Sequence, residues 1–220
     1  MKLLKKHNIP FNPYFFYPFL AWVVAGGVLL ATFSKQQLFM AINSRHNEMT
    51  DMLMFQTTRM GEGEVILPVL LLVMAFAAYR NWWYLITALT CGLVPLGLQH
   101  MFKQIFDAPR PMSYFHKAEW IHILPGWPVL MSYSFPSGHT EGAFSFFCFL
   151  SLLLPPSSQR FGLLFCLLAL SVGYSRIYLA AHFFADIYFG SIIGTVVTML
   201  VFALMTRLKG YFIKEKGTFA

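Results

Sequence analysis

The sequence predicts an all-α integral membrane protein, a bundle of six transmembrane helices with its active site on the extracytoplasmic face. Three observations predict it. Of 220 residues, 57% are hydrophobic and 11% charged, against roughly 25% charged in soluble domains. A core of this size cannot hide that much apolar surface, so lipid is the remaining medium. The apolar residues gather into six segments. The Lys and Arg residues favour the side of the membrane that holds both termini.

The first segment, Phe15–Phe33, follows basic Lys2, Lys5 and Lys6 and the break Asn8-Ile-Pro-Phe-Asn-Pro13. No small-residue cleavage site stands at its end, so it reads as a retained helix and not a signal peptide. The second and third, Glu64–Tyr79 and Trp82–Phe102, are separated only by Arg80-Asn81, which allows nothing but a tight hairpin. The fourth and fifth, Glu141–Leu154 and Phe161–Ser175, are joined by the short run from Pro155 to Arg160. The sixth is Phe183–Thr206. A span needs about 17 to 25 residues, so the second, fourth and fifth are expected to extend into their polar flanks. No repeat or linker divides the chain, and residues 1–220 read as one domain.

An even number of spans puts both termini on one side. That side carries nine of the 16 Lys and Arg, with Arg80 and Arg160 in its hairpins. Three of the remaining seven, Lys103, Arg110 and Arg176, belong to the polar clusters described next. The positive-inside rule then places the termini in the cytoplasm, with loops 34–63 and 103–140 outside. The net charge of +7 lies mostly near the termini, so anionic lipid headgroups are the expected partner and nucleic acid is not. Cys91, Cys148 and Cys166 all lie in apolar runs and read as small buried or lipid-facing residues. The aromatic-rich outer stretch Met112–Tyr133 reads first as an interfacial belt, with a lid over the site as the alternative.

Ionisable residues at membrane spans are costly and tend to be functional. Three clusters fall on the same outer face. Lys103-Gln-Ile-Phe-Asp-Ala-Pro-Arg110-Pro111 follows the third segment, Pro136-Ser137-Gly138-His139 opens the fourth, and Ser175-Arg176 through His182 to Asp186 joins the fifth to the sixth. Arg and Lys suit an anion, Arg in bidentate fashion. The amides of Ser137, Gly138 and His139 at a helix N-terminus add donors for a phosphate oxygen. His182 and Asp186 are four apart, so on a helix they share a face. The carboxylate then holds one ring nitrogen and frees the other to attack, while His139 protonates a leaving oxygen. Singly, each piece has a plainer explanation: Ser134 or Ser137 as a helix cap, Arg110-Pro111 as a loop, His139 and His182 as satisfied polar groups. His182 and Asp186 lack the third and fourth partners of a metal site.

Together the clusters resemble the signature of the type 2 phosphatidic acid phosphatase family: Lys, six residues, Arg-Pro; Pro-Ser-Gly-His; Ser-Arg, five residues, His, three residues, Asp. All three match without a departure, across residues 103–186. The resemblance implies an integral membrane lipid phosphatase that needs no metal or other cofactor. It implies His182 as the nucleophile, Asp186 as the residue that orients it and His139 as the general acid. Lys103, Arg110, Ser137, Gly138 and Arg176 correspond to the phosphate-binding positions. The implied partner is a lipid phosphate or diphosphate within the bilayer, which the motifs do not name. By family analogy the expectation is undecaprenyl diphosphate at the outer face of a bacterial inner membrane, ahead of phosphatidate, phosphatidylglycerol phosphate or lipid A phosphate. A lipid-phosphate transporter or binding protein is the non-enzyme alternative, but it has no need of the two histidines and Asp186. A soluble haloperoxidase relative conflicts with six spans. Outside the motifs, Glu141 reads as a helix-dipole partner or a contact of the basic pocket. Gly61-Glu62-Gly63-Glu64 reads as a turn lining substrate entry. Nothing in the sequence bears on oligomeric state.

Overall fold

The computed structural model describes residues 11–76 and 81–216, with backbone alone for 210–216. Lys2, Lys5, Lys6 and Arg80 of the charge count, and residues 77–79 of the second expected span, lie outside them. Every described regular element is helical: α1 (Pro13–Thr32), α2 (Lys35–Asn43), α3 (Glu48–Arg59), α4 (Gly63–Ala75), α5 (Trp82–Phe106), α6 (Pro111–Tyr114), α7 (Gly138–Leu153), α8 (Phe161–Tyr178) and α9 (Phe184–Lys216), with a 3₁₀ turn at Pro156–Ser158. Each expected apolar segment overlaps one of α1, α4, α5, α7, α8 and α9, with ends shifted by a few residues, except that α9 runs on past Thr206 to Lys216.

Among the described residues, four helical stretches are long and apolar enough to cross a membrane: Pro13–Thr32, Trp82–Tyr114, Phe161–Tyr178 and Phe184–Lys209. Helices α4 and α7 are shorter, at 13 and 16 residues. For α7 the reason lies in its position. It packs against α5, α8 and α9, and most of its residues from Thr140 to Leu152 are buried. A helix walled by others has no lipid thickness to match. Its Phe144, Phe147 and Phe149 form the centre of the core with Phe15, Phe19 and Phe202.

Polar groups tie the bundle together, as expected where the surroundings offer no water. Ser145 Oγ donates to the carbonyl of Cys91 at 2.7 Å and meets Thr198 Oγ1 at 2.8 Å. Trp22 Nε1 donates to Ser191 Oγ at 2.9 Å. The three cysteines are free and buried.

Helices α2 and α3 are not anticipated by the apolar pattern, which left 34–63 as an outer loop. Local capping starts both. Ser34 with Gln37, and Asn47 with Thr50, form reciprocal capping boxes that satisfy first-turn amides. Both helices lie over the end of α8. Buried Asn43 clamps them there: its Nδ2 donates to the carbonyls of His122 and Tyr178, and its Oδ1 accepts the His122 amide. His122 Nε2 also meets Asp51 Oδ1 at 2.8 Å, and the His46 ring stacks on His122 with centroids 3.7 Å apart.

Candidate active site

The turn between α8 and α9 sets the site. Helix α8 ends in a Schellman arrangement: Ala181 N–H donates to the Arg176 carbonyl and Ala180 N–H to that of Ile177. This needs a left-handed residue, and Ala180 supplies it at φ 53°, a conformation more natural to glycine. The reversal carries His182 back over the end of α8 and starts α9 at Phe184. His182 therefore stands before the helix, and the expectation that His182 and Asp186 share a helical face is corrected. The pair meets in another way. Asp186 sits in the first turn of α9, and its Oδ2 accepts from the Phe183 amide at 2.9 Å and from the Ser134 hydroxyl. The same oxygen faces His182 Nδ1 at 3.5 Å.

That leaves Nε2 of His182, which lies 3.4 Å from the NH1 nitrogen of Arg110. The guanidinium is itself fixed: Nε donates to the Ser132 carbonyl at 2.9 Å and NH1 to that of Ala181 at 3.0 Å. Two backbone bonds, Arg110 N–H to Met131 and Ser134 N–H to Ala108, zip the loop after α5 to the loop before α7. His182 is 2% exposed. Burial pushes its pKa down to about 3, aided by the charges of Arg110 and Arg176 and opposed by Asp186. The ring is thus neutral at physiological pH, with a lone pair available.

Arg176, 4% exposed, ends α8. Its NH1 donates to Thr58 Oγ1 at 2.7 Å, and its buried Nε has no hydrogen-bond partner. Trp127 lies over its guanidinium, ring centroid to Cζ 5.6 Å. A cavity of about 230 Å³ opens here, lined by Arg110, Arg176, His139, Glu62, Trp127 and Leu130 among others. Part of the aromatic stretch Met112–Tyr133 therefore covers the cavity, as the lid alternative expects.

The Pro-Ser-Gly-His stretch starts α7. Ser137 is its N-cap, with Oγ accepting from the Thr140 hydroxyl at 2.9 Å and from the Thr140 amide. The Ser137 amide donates to the Asp186 carbonyl at 3.1 Å. It is thus already engaged, which corrects the expectation of three free amides; those of Gly138 and His139 remain for an anion. Gly138 is pressed against Gln99, whose Nε2 would lie 3.1 Å from an added Cβ. His139 Nε2 faces Glu62 Oε1 at 3.6 Å.

The fold thus brings Arg110, Arg176 and His139 to one cavity, with His182 and Asp186 directly behind Arg110. Lys103 sits half-buried on α5 outside the lining of that cavity, within electrostatic reach of Arg110, Arg176, Asp186 and Glu141, and makes no ion pair among the described residues. Sequence reasoning missed Ser134 and Thr58 as partners of Asp186 and Arg176. Glu141 is 2% exposed and edges a second, apolar cavity of about 260 Å³ among α4, α5 and α7, lined by Ile66, Leu70, Leu96 and Phe146.

Comparison with known proteins adds four similarities. The family model of the PAP2 superfamily matches residues 80–209. Undecaprenyl-diphosphatase BcrC of Bacillus subtilis (strain 168) is 24% identical over 177 residues, 80% of this chain and 86% of that protein. The crystal structure of Aquifex aeolicus LpxE superposes with a TM-score of 0.64 at 26% identity, covering 78% of this chain and 97% of the other. That of the first transmembrane PAP2 type phosphatidylglycerolphosphate phosphatase from Bacillus subtilis gives 0.62 at 22% identity, covering 92% and 97%; at that identity the likeness is one of fold.

Proposed function

The chain belongs to the PAP2 superfamily and is a membrane lipid phosphatase, and from that premise we propose that it hydrolyses undecaprenyl diphosphate through a phosphohistidine at the outer face of a bacterial inner membrane. One observation carries the mechanism: Nε2 of a neutral, buried histidine faces a fixed guanidinium at 3.4 Å. A phosphate held by Arg110 is presented to that lone pair. Arg176 and the Gly138 and His139 amides neutralise the other oxygens, with Lys103 adding positive charge from farther off, which is the main catalytic demand in phosphoryl transfer.

In the first step Nε2 of His182 bonds to the terminal phosphorus as the bond from that phosphorus to the bridging oxygen breaks, freeing the lipid monophosphate. The leaving oxygen takes a proton from His139, and Asp186 supports the charge that develops on the His182 ring. In the second step His139 takes a proton from water, the water oxygen bonds to phosphorus, and the P–N bond breaks to release phosphate. Ser137 acts chiefly by capping the helix that presents the two free amides. With α4 and α7 counted as spans, six helices cross the membrane and both termini lie in the cytoplasm.

The lipid assignment is supported by the named activity of the Bacillus subtilis relative; the apolar cavity beside Gly138 has room for the first part of a hydrocarbon chain of any of these lipids. The test is phosphate release by purified protein from undecaprenyl diphosphate, phosphatidylglycerol phosphate, phosphatidate and lipid A phosphate, each with excess chelator. Fastest release from the polyprenyl substrate is expected. Preference for another lipid would replace the assignment, and loss of all activity with EDTA, restored by metal, would remove the mechanism.

A further inference from the structure

Glu62 lies outside the three motifs, yet it lines the same cavity as His139, Arg110 and Arg176. It occupies the N-cap position of α4, but its side chain makes no capping hydrogen bond. It turns instead towards His139, with Oε1 3.6 Å from Nε2. Histidine–carboxylate bonds in an empty site are often long and tighten when substrate arrives.

The backbone is shaped to deliver this carboxylate. A Cβ on Gly61 would lie 2.7 Å from the His139 carbonyl oxygen and 2.8 Å from Val172 Cγ1, so only glycine lets the chain pass so close to the first turn of α7. The turn is held by Gly61 N–H to the Thr58 carbonyl and Glu62 N–H to that of Arg59, both at 3.0 Å. Thr58 accepts from Arg176. Residues 58–62 thus brace two walls of the site at once. Arg176 also faces the cavity, but it makes no ion pair with Glu62 within 4.0 Å.

We propose that Glu62 is a positioning residue for His139, giving the site two histidine–carboxylate pairs: Asp186 with the attacking ring and Glu62 with the ring that moves the proton. With Nε2 turned to Glu62, Nδ1 is the nitrogen left to serve the leaving oxygen. When His139 takes the proton of water in the second step, the carboxylate stabilises the imidazolium that forms. This inference rests on the reading of His139 as proton donor.

The experiment measures the rate of phosphoenzyme formation by rapid acid quench, with its KM, for the purified full chain on two monophosphates with the same hydrocarbon chain: dodecyl phosphate, with a poor leaving group, and a dodecyl-substituted nitrophenyl phosphate, with a good one. Glu62→Gln is expected to lower that rate on the alkyl ester by about tenfold or more, the scale of a partly disabled acid–base step. KM and the aryl rate should change little, and Glu62→Asp should recover most of the loss. In a His139→Ala background Glu62→Gln should cost nothing further. Equal loss on both esters, a change in KM alone, or full additivity with His139→Ala overturns the proposal. Phosphoenzyme formation from the aryl ester shows that each variant has folded. If His139→Ala itself fails to discriminate the esters, the proton-donor reading falls; if it discriminates and Glu62→Gln does not, only the role of Glu62 falls.

Discussion

The backbone amide of Ser137 donates to the carbonyl of Asp186 at 3.1 Å, joining the first turn of α7 to the first turn of α9. The residue before the phosphate-facing amides and the residue behind the proposed nucleophile thus share one bond. A shift of either helix moves both halves of the site. The crossing is close enough that a Cβ on Gly190 would lie 2.9 Å from the Ser137 carbonyl oxygen.

The tightness of that crossing gives a stability prediction. A Cβ at Gly194 would collide with the carbonyl oxygen of Glu141, backbone against backbone, with no flexible side chain to yield. Gly194→Ala is expected to destabilise the fold by about 1–3 kcal/mol or more and to lower activity through the same displacement. Gly97→Ala, with nothing within 4 Å of the added Cβ, should stay within about 1 kcal/mol of the parent. Denaturant unfolding in detergent distinguishes them; equal behaviour would mean that the crossing relaxes freely.

The two histidines separate by chemistry. His139→Ala should lose about 100-fold or more in the rate of phosphoenzyme formation from a lipid alkyl phosphate, the scale of general acid catalysis, and far less in that from an activated aryl phosphate. It should accumulate phosphoenzyme, because the second step needs the same group. His182→Ala should be inactive on both and trap no label, and Asp186→Asn should fall between. Acid-quench trapping of labelled phosphate decides. Label held by His182→Ala but absent from His139→Ala would exchange the roles.

Burial of neutral His182 makes stability depend on pH. Its pKa drops from 6.5 to about 3 on folding, so below 6.5 the unfolded chain binds the proton more readily. The stability that this ring contributes is complete above pH 6.5 and is lost as pH falls from there towards 3. Melting temperature should therefore decline over that window, and His182→Gln should remove that part of the decline. Asp51 adds a separate loss. Its partial burial opposes ionisation, but hydrogen bonds from Tyr178 and His122 outweigh this and hold its carboxyl below 3.8, so its contribution fades only under stronger acid. A flat profile from pH 6.5 to 4 would contradict the burial of a neutral ring.

Topology is open to labelling. A cysteine at Lys117, in the outer stretch, should react with a membrane-impermeant thiol reagent in intact cells, while one at Ser158, between α7 and α8, should not. The reverse pattern would put the chemistry in the cytoplasm.

What the sequence made legible follows from the range of each signal. Runs of apolar residues mark α1, α5, α8 and α9 because hydropathy is local. The three motifs marked His139, His182, Asp186 and the cations because unusual residues recur at fixed spacings. Helices α2 and α3 escaped, since their apolar faces are short and appear only once α8 is there to receive them. Thr58 escaped as the partner of Arg176 because 118 residues separate them. Ser134 stood in view as a helix cap, but its bond to Asp186 spans 52 residues. His182 preceding its helix was hidden by the left-handed Ala180, a residue type that gives no sign of a reversal.

At about 1.5 Å per residue, the 16 residues of α7 reach only about 24 Å, short of a hydrocarbon layer about 30 Å thick. If its far end lies level with the opposite hydrocarbon boundary, as the proposed topology has it, its first turn, with Ser137 and His139, stands at or below the level of the surrounding headgroups. A lipid reaches such a site by lateral diffusion within its own leaflet and need not be lifted into water. Turnover should then follow the mole fraction of substrate in the bilayer: diluting it with inert lipid at fixed total amount slows the reaction, while adding buffer does not.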